Sequence, residues 1–191
     1  MKRIYLLLTL AIISFASLDS NAQTYFGVKV GGNLAFINGD IGLKGIKPAA
    51  HGGFVAEIAI SDLFSVQPEL LYSIQGSQDK DNAILKNNHH YLTLPIMIKY
   101  FINETISIDA GPQVSYLVYA KQSNGWEEQI DNKELLNAFD YSFDIGASYE
   151  MDNGMNINVR YVHGFANIFK TSSDVKGYNS VIQLSMGYKF Y

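Results

Sequence analysis

Apolar residues recur at every second position along eight long stretches of this chain: Thr24–Phe36, Ala50–Ile60, Phe64–Ser77, His89–Phe101, Ile106–Ala120, Ala138–Met151, Met155–His163 and Tyr178–Phe190. A period of two marks a β-strand, whose successive side chains leave on opposite faces. Each stretch matches or exceeds the roughly 9–11 tilted residues with which a strand crosses a bilayer. Strands of water-soluble proteins average only about 5–6. Thirteen Tyr, eleven Phe and sixteen Gly against four Pro suit a β-rich chain. With 48% hydrophobic and 17% charged residues the sequence is not that of a disordered chain. It also lacks the runs of about 20 apolar residues that a helical membrane bundle needs.

The connections between these stretches alternate in length. Residues 37–49, 78–88, 121–137 and 164–177 are long, polar and rich in Gly, Asn and Lys, and Glu134-Leu135-Leu136 allows a helical turn there. Ser61-Asp62-Leu63, Ile102–Thr105 and Asp152-Asn153-Gly154 are short. Long connections at one end and tight turns at the other are the habit of transmembrane barrels, whose tight turns face the periplasm. The expected fold is an all-β, eight-stranded antiparallel up-and-down transmembrane β-barrel over residues 23–191, with both termini on the periplasmic side.

Charge follows the same alternation. One face carries Phe26, Val28, Val30 and Leu34, then Leu92, Leu94, Ile96 and Ile98, then Tyr141, Phe143, Ile145, Ala147 and Tyr149, and finally Ile182, Leu184, Met186, Tyr188 and Phe190. The opposite face carries ten charges: Lys29, Glu57, Glu69, Lys99, Asp109, Asp140, Asp144, Glu150, Arg160 and Lys189. A soluble lipocalin-like barrel would turn the apolar face inward, and a membrane barrel turns it to lipid. The polar face also holds Gly27, Gly31, Gly53, Gly111, Gly146 and Gly187, small residues suited to a crowded eight-strand interior. The apolar face is too broad for one small lipocalin core. Both observations favour the membrane arrangement, with Tyr25, Tyr91, Met97 and Tyr119 also inward.

The N-terminus reads as an export signal. Lys2-Arg3 precedes the apolar stretch Ile4–Leu18, and Ser20-Asn21-Ala22 supplies small residues before Gln23, so residues 1–22 are expected to be removed. The chain has no cysteine, hence neither disulfides nor thiol chemistry. Its 14 basic residues less Lys2 and Arg3, against 18 acidic residues less Asp19, leave a net charge of −5. That balance gives no reason to expect a nucleic-acid partner.

Several segments, in order, look familiar. Tyr91-Leu92-Thr93-Leu94-Pro95-Ile96-Met97-Ile98-Lys99-Tyr100-Phe101 is one, and Ala110-Gly111-Pro112-Gln113-Val114-Ser115-Tyr116-Leu117 with Ala120-Lys121 is another. Phe143-Asp144-Ile145-Gly146, Arg160-Tyr161, Gly164 with Asn167-Ile168, the opening Phe26–Asn33 and the closing Gly187-Tyr188-Lys189-Phe190 complete the set. The whole resembles the PorT-type outer-membrane β-barrel proteins of the Bacteroidetes, departing from the usual barrel ending in the extra Tyr191 after Phe190. The resemblance implies a location in the outer membrane and a barrel fold. It implies no common biochemical activity.

No residue pattern stands out as catalytic, and no cofactor or metal is expected. His89 and His90 are adjacent on a strand and point to opposite faces, which does not suit one metal. His51 is expected inward and His163 outward near the rim. Asp79-Lys80-Asp81-Asn82 lacks the Gly and terminal Glu of a calcium loop, and Asn103-Glu104-Thr105 is a glycosylation pattern in a tight turn. The six lumenal acids and four bases read either as an ion path or as paired charges filling a barrel without a channel. Three functions follow: a non-enzymatic barrel that displays four extracellular loops or docks envelope or secretion-system proteins, a narrow channel, or an enzyme acting on outer-membrane lipid. The last needs a His–Ser pair on the outer face, and Phe165 rather than Ser follows two places after His163.

One contact is expected in detail. Met151 and Met155 both belong to the outward set, so the turn between them holds an odd number of residues, closed by a left-handed Gly154. Counting back sets Arg160 opposite Gly146, with Asp144 in diagonal reach. Arg160 is therefore expected to pair with Asp144, with other lumenal acids near.

Overall fold

The computed structural model describes residues 23–39, 45–78, 86–123, 130–131, 133–170 and 176–190. The expected export signal, the Asp79–Asn82 segment and Tyr191 lie outside them. The elements are β1 (Thr24–Gly39), β2 (Lys47–Ala59), β3 (Phe64–Gln78), β4 (Lys86–Phe101), β5 (Ile106–Ser123), β6 (Ile130–Asp131), a 3₁₀ turn (Lys133–Leu135), β7 (Phe139–Glu150), β8 (Met155–Gly164) and β9 (Gly177–Phe190).

Every long strand pairs antiparallel with two neighbours, in the order β4-β3-β2-β1-β9-β8-β7-β5, and the β4–β5 ladder closes the ring. The first and last strands meet along Phe26↔Phe190 through Gly39↔Gly177. The molecule is thus a closed, all-antiparallel, eight-stranded β-barrel. β6 is a two-residue addition outside the ring that pairs with Lys121 and Gln122 of β5.

The strands outrun the sequence expectation at the loop end. β2 starts at Lys47 rather than Ala50, and β5 runs 18 residues, to Ser123. A crossing needs only about 9–11 residues, so the barrel wall continues past the membrane. The turns at the other end are as short as expected. Between β7 and β8, Met151 and Gly154 close a three-residue loop in which Gly154 takes φ 84°. Between β4 and β5, the Asn103 side chain accepts hydrogen bonds from the amides of Thr105 and Ile106 at 2.9 and 2.8 Å. That side chain is part of the turn.

The faces separate as the alternation requires. Phe26, Phe54, Leu94, Ile145 and Leu184 stand exposed on the outer surface, while Lys29, Glu69, Asp144 and Arg160 are buried inside. Water would not tolerate this arrangement, since the outer surface is a continuous apolar band. Apolar side chains form two buried clusters toward the loop end of the lumen, Tyr91, Leu117, Ala120 and Leu136 with Phe169, and Ala35 with Val162 and Val181, while Val55, Leu71 and Met97 are buried singly among the polar residues below.

Strict alternation fails at one place. His90 pairs with Tyr119 but Tyr91 pairs with Leu117, so Val118 is an extra residue in β5. This β-bulge shifts the phase by one. Leu117 and Ala120 are fully buried and Tyr119, expected inward, is only half-buried, its ring edge-on to His90.

These faces set a stability pattern. Leu94→Arg or Ile145→Arg should cost about 2–4 kcal/mol near the bilayer midplane, whereas Glu134→Gln at the rim should be nearly neutral. Urea titrations of the protein refolded into lipid vesicles would show both; equal losses would contradict the assigned faces.

Candidate functional site

The inward phase of eight strands gathers the charged side chains into two tiers, because paired residues of neighbouring strands lie on one face. The tier nearest the tight turns is built from β2, β4, β7 and β9. Lys99 Nζ lies 2.9 Å from Glu57 Oε2 and also bonds Glu150; Lys189 Nζ lies 2.8 Å from Glu57 Oε2 and 2.9 Å from Glu150 Oε2. Two bases and two acids alternate around a ring, so its charge sums to zero. Each carboxylate is held by two ammonium groups.

The second tier lies deeper and centres on Glu69 of β3. Arg160 reaches it from β8 as a fork, Nη1 to Oε2 at 3.0 Å and Nη2 to Oε1 at 2.8 Å. Lys29 donates at 3.0 Å and Gln67 at 2.6 Å to the same carboxylate. Bidentate Arg–carboxylate contacts combine charge with fixed geometry. Arg160 also meets Asp109 at 3.3 Å and Asp144 at 3.8 Å. Asp109 in turn accepts from Ser148 at 3.2 Å and Asn158 at 2.9 Å.

The expected register holds, for Arg160 faces Gly146 across β7 and β8. A Cβ at Gly146 would fall 2.7 Å from the Val159 carbonyl oxygen and 3.0 Å from Asp109 Oδ2, so a side chain there would crowd the Arg160 site. The expected partner is only partly right. Asp144 is the longest of the three acidic contacts, and Glu69, from the opposite wall, is the principal one. Strand register counts neighbours along the wall and is blind to contacts across a narrow lumen.

Asp140 stands apart from both tiers. It lies toward the loop end, where Asn179 donates to its Oδ2 at 2.7 Å and to the Tyr91 hydroxyl at 3.2 Å. Between it and the ion pairs comes a neutral layer in which His51 joins Asn33 Oδ1 at 2.7 Å to Ser185 Oγ at 2.8 Å. Gln183 donates to Asn33 and Gln113 to Ser142. His51 is inward as the sequence predicts, and Asn33, Gln113, Ser142, Gln183 and Ser185 share its phase, so the same alternation points to them. Lys47 lies before the expected start of its strand. It is buried and donates to the Gln75 carbonyl at 2.8 Å, and extending β2 back three residues would have placed it in phase with Glu57.

On the outer rim the ladder sets Ser180 directly opposite His163. Here is the cross-strand serine that a search within one strand overlooks. Each is committed elsewhere: Ser180 Oγ accepts from Asn38 at 2.9 Å and is fully buried, and His163 Nδ1 lies 3.3 Å from the Tyr161 hydroxyl. Among the described residues no group of His, Asp and Glu side chains is arranged to hold a metal ion.

The strongest interior interaction is open to measurement. Arg160→Met should destabilise the barrel by about 3–5 kcal/mol, because it strands buried carboxylates. A double-mutant cycle with Glu69→Leu should show more coupling than one with Asp144→Leu, in keeping with the 2.8 and 3.8 Å contacts; larger coupling to Asp144 would refute this ranking.

Comparison with known proteins agrees with the architecture. The family described as outer membrane protein beta-barrel domain matches residues 15–170. Ail, the attachment invasion locus protein of Yersinia pestis, solved with the heparin analogue sucrose octasulfate, superimposes with a TM-score of 0.54 at 15% identity, over 88% of this chain and 99% of Ail. Neisserial surface protein A superimposes with a TM-score of 0.55 at 13% identity, over 86% of this chain and 97% of its own. At such identities the likeness is one of fold. No curated protein sequence matches significantly.

Proposed function

Because the chain belongs to the outer membrane protein β-barrel domain family, we propose that it is a non-enzymatic outer-membrane barrel with a filled lumen, which presents its four long connections at the cell surface for display or for docking envelope or secretion-system proteins. Residues 1–22 serve as its export signal. The ordered motifs from Phe26 to Phe190 support its assignment to the PorT-type branch found in Bacteroidetes.

The observation that carries this reading is the occupied interior. An eight-stranded barrel has room for little more than its own side chains. Here the Glu57–Lys99–Glu150–Lys189 ring spans the lumen near one end, and the Arg160–Glu69–Lys29 cluster spans it above. A permeating ion would have to break buried ion pairs, one of them the bidentate Arg160–Glu69 contact. In this reading the ten lumenal charges are structural ties.

Two measurements test it. In planar bilayers the refolded protein should give no discrete conductance steps; stable unitary openings would favour the narrow channel instead. An epitope inserted between Lys80 and Asp81 should bind antibody on intact cells, while one between Asn153 and Gly154 should bind only after permeabilisation. The opposite pattern would overturn the display reading.

A further inference from the structure

A groove of about 810 Å³ runs under the rim on the outer surface of the barrel. Its floor is Phe139 and Tyr141, which belong to the same exposed apolar face as Phe143 and Ile145. Its roof is two rim segments, one with Lys133, Glu134, Leu136 and Asn137, the other with Ala166, Asn167 and Lys170. The groove therefore opens where the lipid-facing band gives way to the loops. In a membrane barrel this is the headgroup level of the outer leaflet, the depth at which aromatic girdles sit.

The roof is tied together by its own backbone. Leu136 and Phe169 form an isolated bridge, the Lys170 amide donates to the Leu135 carbonyl at 3.0 Å, and Asn137 Nδ2 donates to the carbonyls of Asn167 and Phe169 at 2.7 and 3.3 Å. Lys133 is fixed in turn: its Nζ donates to the Val118 carbonyl at 2.9 Å and lies 5.7 Å from the centre of the Tyr116 ring. The Lys133 ammonium is thus held on a preformed frame beside an aromatic floor, and Lys170, whose backbone belongs to the same frame, lines the groove with it. An apolar chain leading down from a phosphate would meet the rings and the amines together.

From this we propose that the groove between the 133–137 and 166–170 segments retains a phosphate-bearing lipid of the outer leaflet, its phosphate near Lys133 and Lys170 and its first acyl carbons along Phe139 and Tyr141. Glu134 lines the same roof and offsets one of the two positive charges. The net attraction is that of about one basic residue at a membrane surface, equivalent to about fivefold preference for an acidic over a neutral headgroup.

The test is native mass spectrometry of the refolded full barrel in mixed micelles holding equal phosphatidic acid and phosphatidylcholine. The unmodified protein should retain phosphatidic acid about fivefold over phosphatidylcholine. Lys133→Gln with Lys170→Gln, which leaves Glu134 alone, should bring the ratio to one or below, and Lys133→Arg with Lys170→Arg should restore it. Lys86→Gln with Lys176→Gln, which removes the same charge outside the groove, should leave the ratio unchanged. Each variant is checked for folding by the different gel mobility of boiled and unboiled samples, a readout independent of lipid retention. No preference in the unmodified protein, or equal loss in the control pair, would overturn the proposal. Displacement of the lipid by millimolar inorganic phosphate would also overturn it, because the groove would then read free phosphate.

Discussion

A peptide group in hydrocarbon has no water to bond, so a strand can cross a bilayer only if both of its edges are paired. Everything else in this structure follows from that demand. It makes β1 pair with β9 and β4 with β5, because an open edge would leave a row of amides and carbonyls in lipid. Closure then reverses the ordinary arrangement of a soluble protein. The apolar side chains face outward, and the polar ones are left in a tube of eight strands, too narrow for bulk water. Charges inside such a tube need partners, and Lys99, Lys189, Glu57 and Glu150 find one another in an alternating ring.

The two tiers solve the problem differently. The ring near the tight turns is balanced, and its carboxylates are held by lysines whose ammonium groups are compact and adaptable. The deeper cluster sets two bases, Lys29 and Arg160, against three acids, Glu69, Asp109 and Asp144. Its surplus acid is Asp144, whose Oδ2 forms no hydrogen bond. An arginine suits this position because its planar fork can serve several carboxylates at once while holding one of them bidentately. Such a cluster is not by itself evidence of high stability: exchanging a buried ion pair for matched apolar groups is often neutral or favourable, whereas removing one member is costly. What the cluster supplies is mutual dependence among strands distant in sequence, since Lys29, Glu69, Asp109 and Arg160 come from β1, β3, β5 and β8.

Most of the architecture was legible in the sequence because a strand has a period of two and one slip would turn every charge into lipid. The eight strands, the three-residue turn at Gly154 and the facing of Arg160 and Gly146 all follow from that parity. The failures have physical causes. Tyr119 was misplaced because a single bulge at Val118 reverses the phase, and no residue type announces it. Lys47 escaped because the barrel wall continues beyond the membrane, where polar residues no longer mark a loop. The choice of Glu69 over Asp144 by Arg160 depends on which walls approach across the lumen, which is a property of the closed tube rather than of any pair of strands.

Apolar side chains inside the tube are single below, as Val55, Leu71 and Met97 are, and form a cluster at the loop end, where Tyr91, Leu117, Ala120 and Leu136 pack with Phe169. There the wall leaves the hydrocarbon at the headgroup level, and the lumen would open to water just above. A hydrophobic cluster keeps water out at that level, because apolar burial is again favourable there. It draws in Leu136 and Phe169 from two different connections, and their bridge ties the segments that carry Lys133 and Lys170. The same packing that closes the top of the lumen thus builds the roof of the groove on the outside. Below that roof the outward side chains answer to lipid, and the inward ones to ion pairs and to the neutral hydrogen-bonded layer of Asn33, His51 and Ser185.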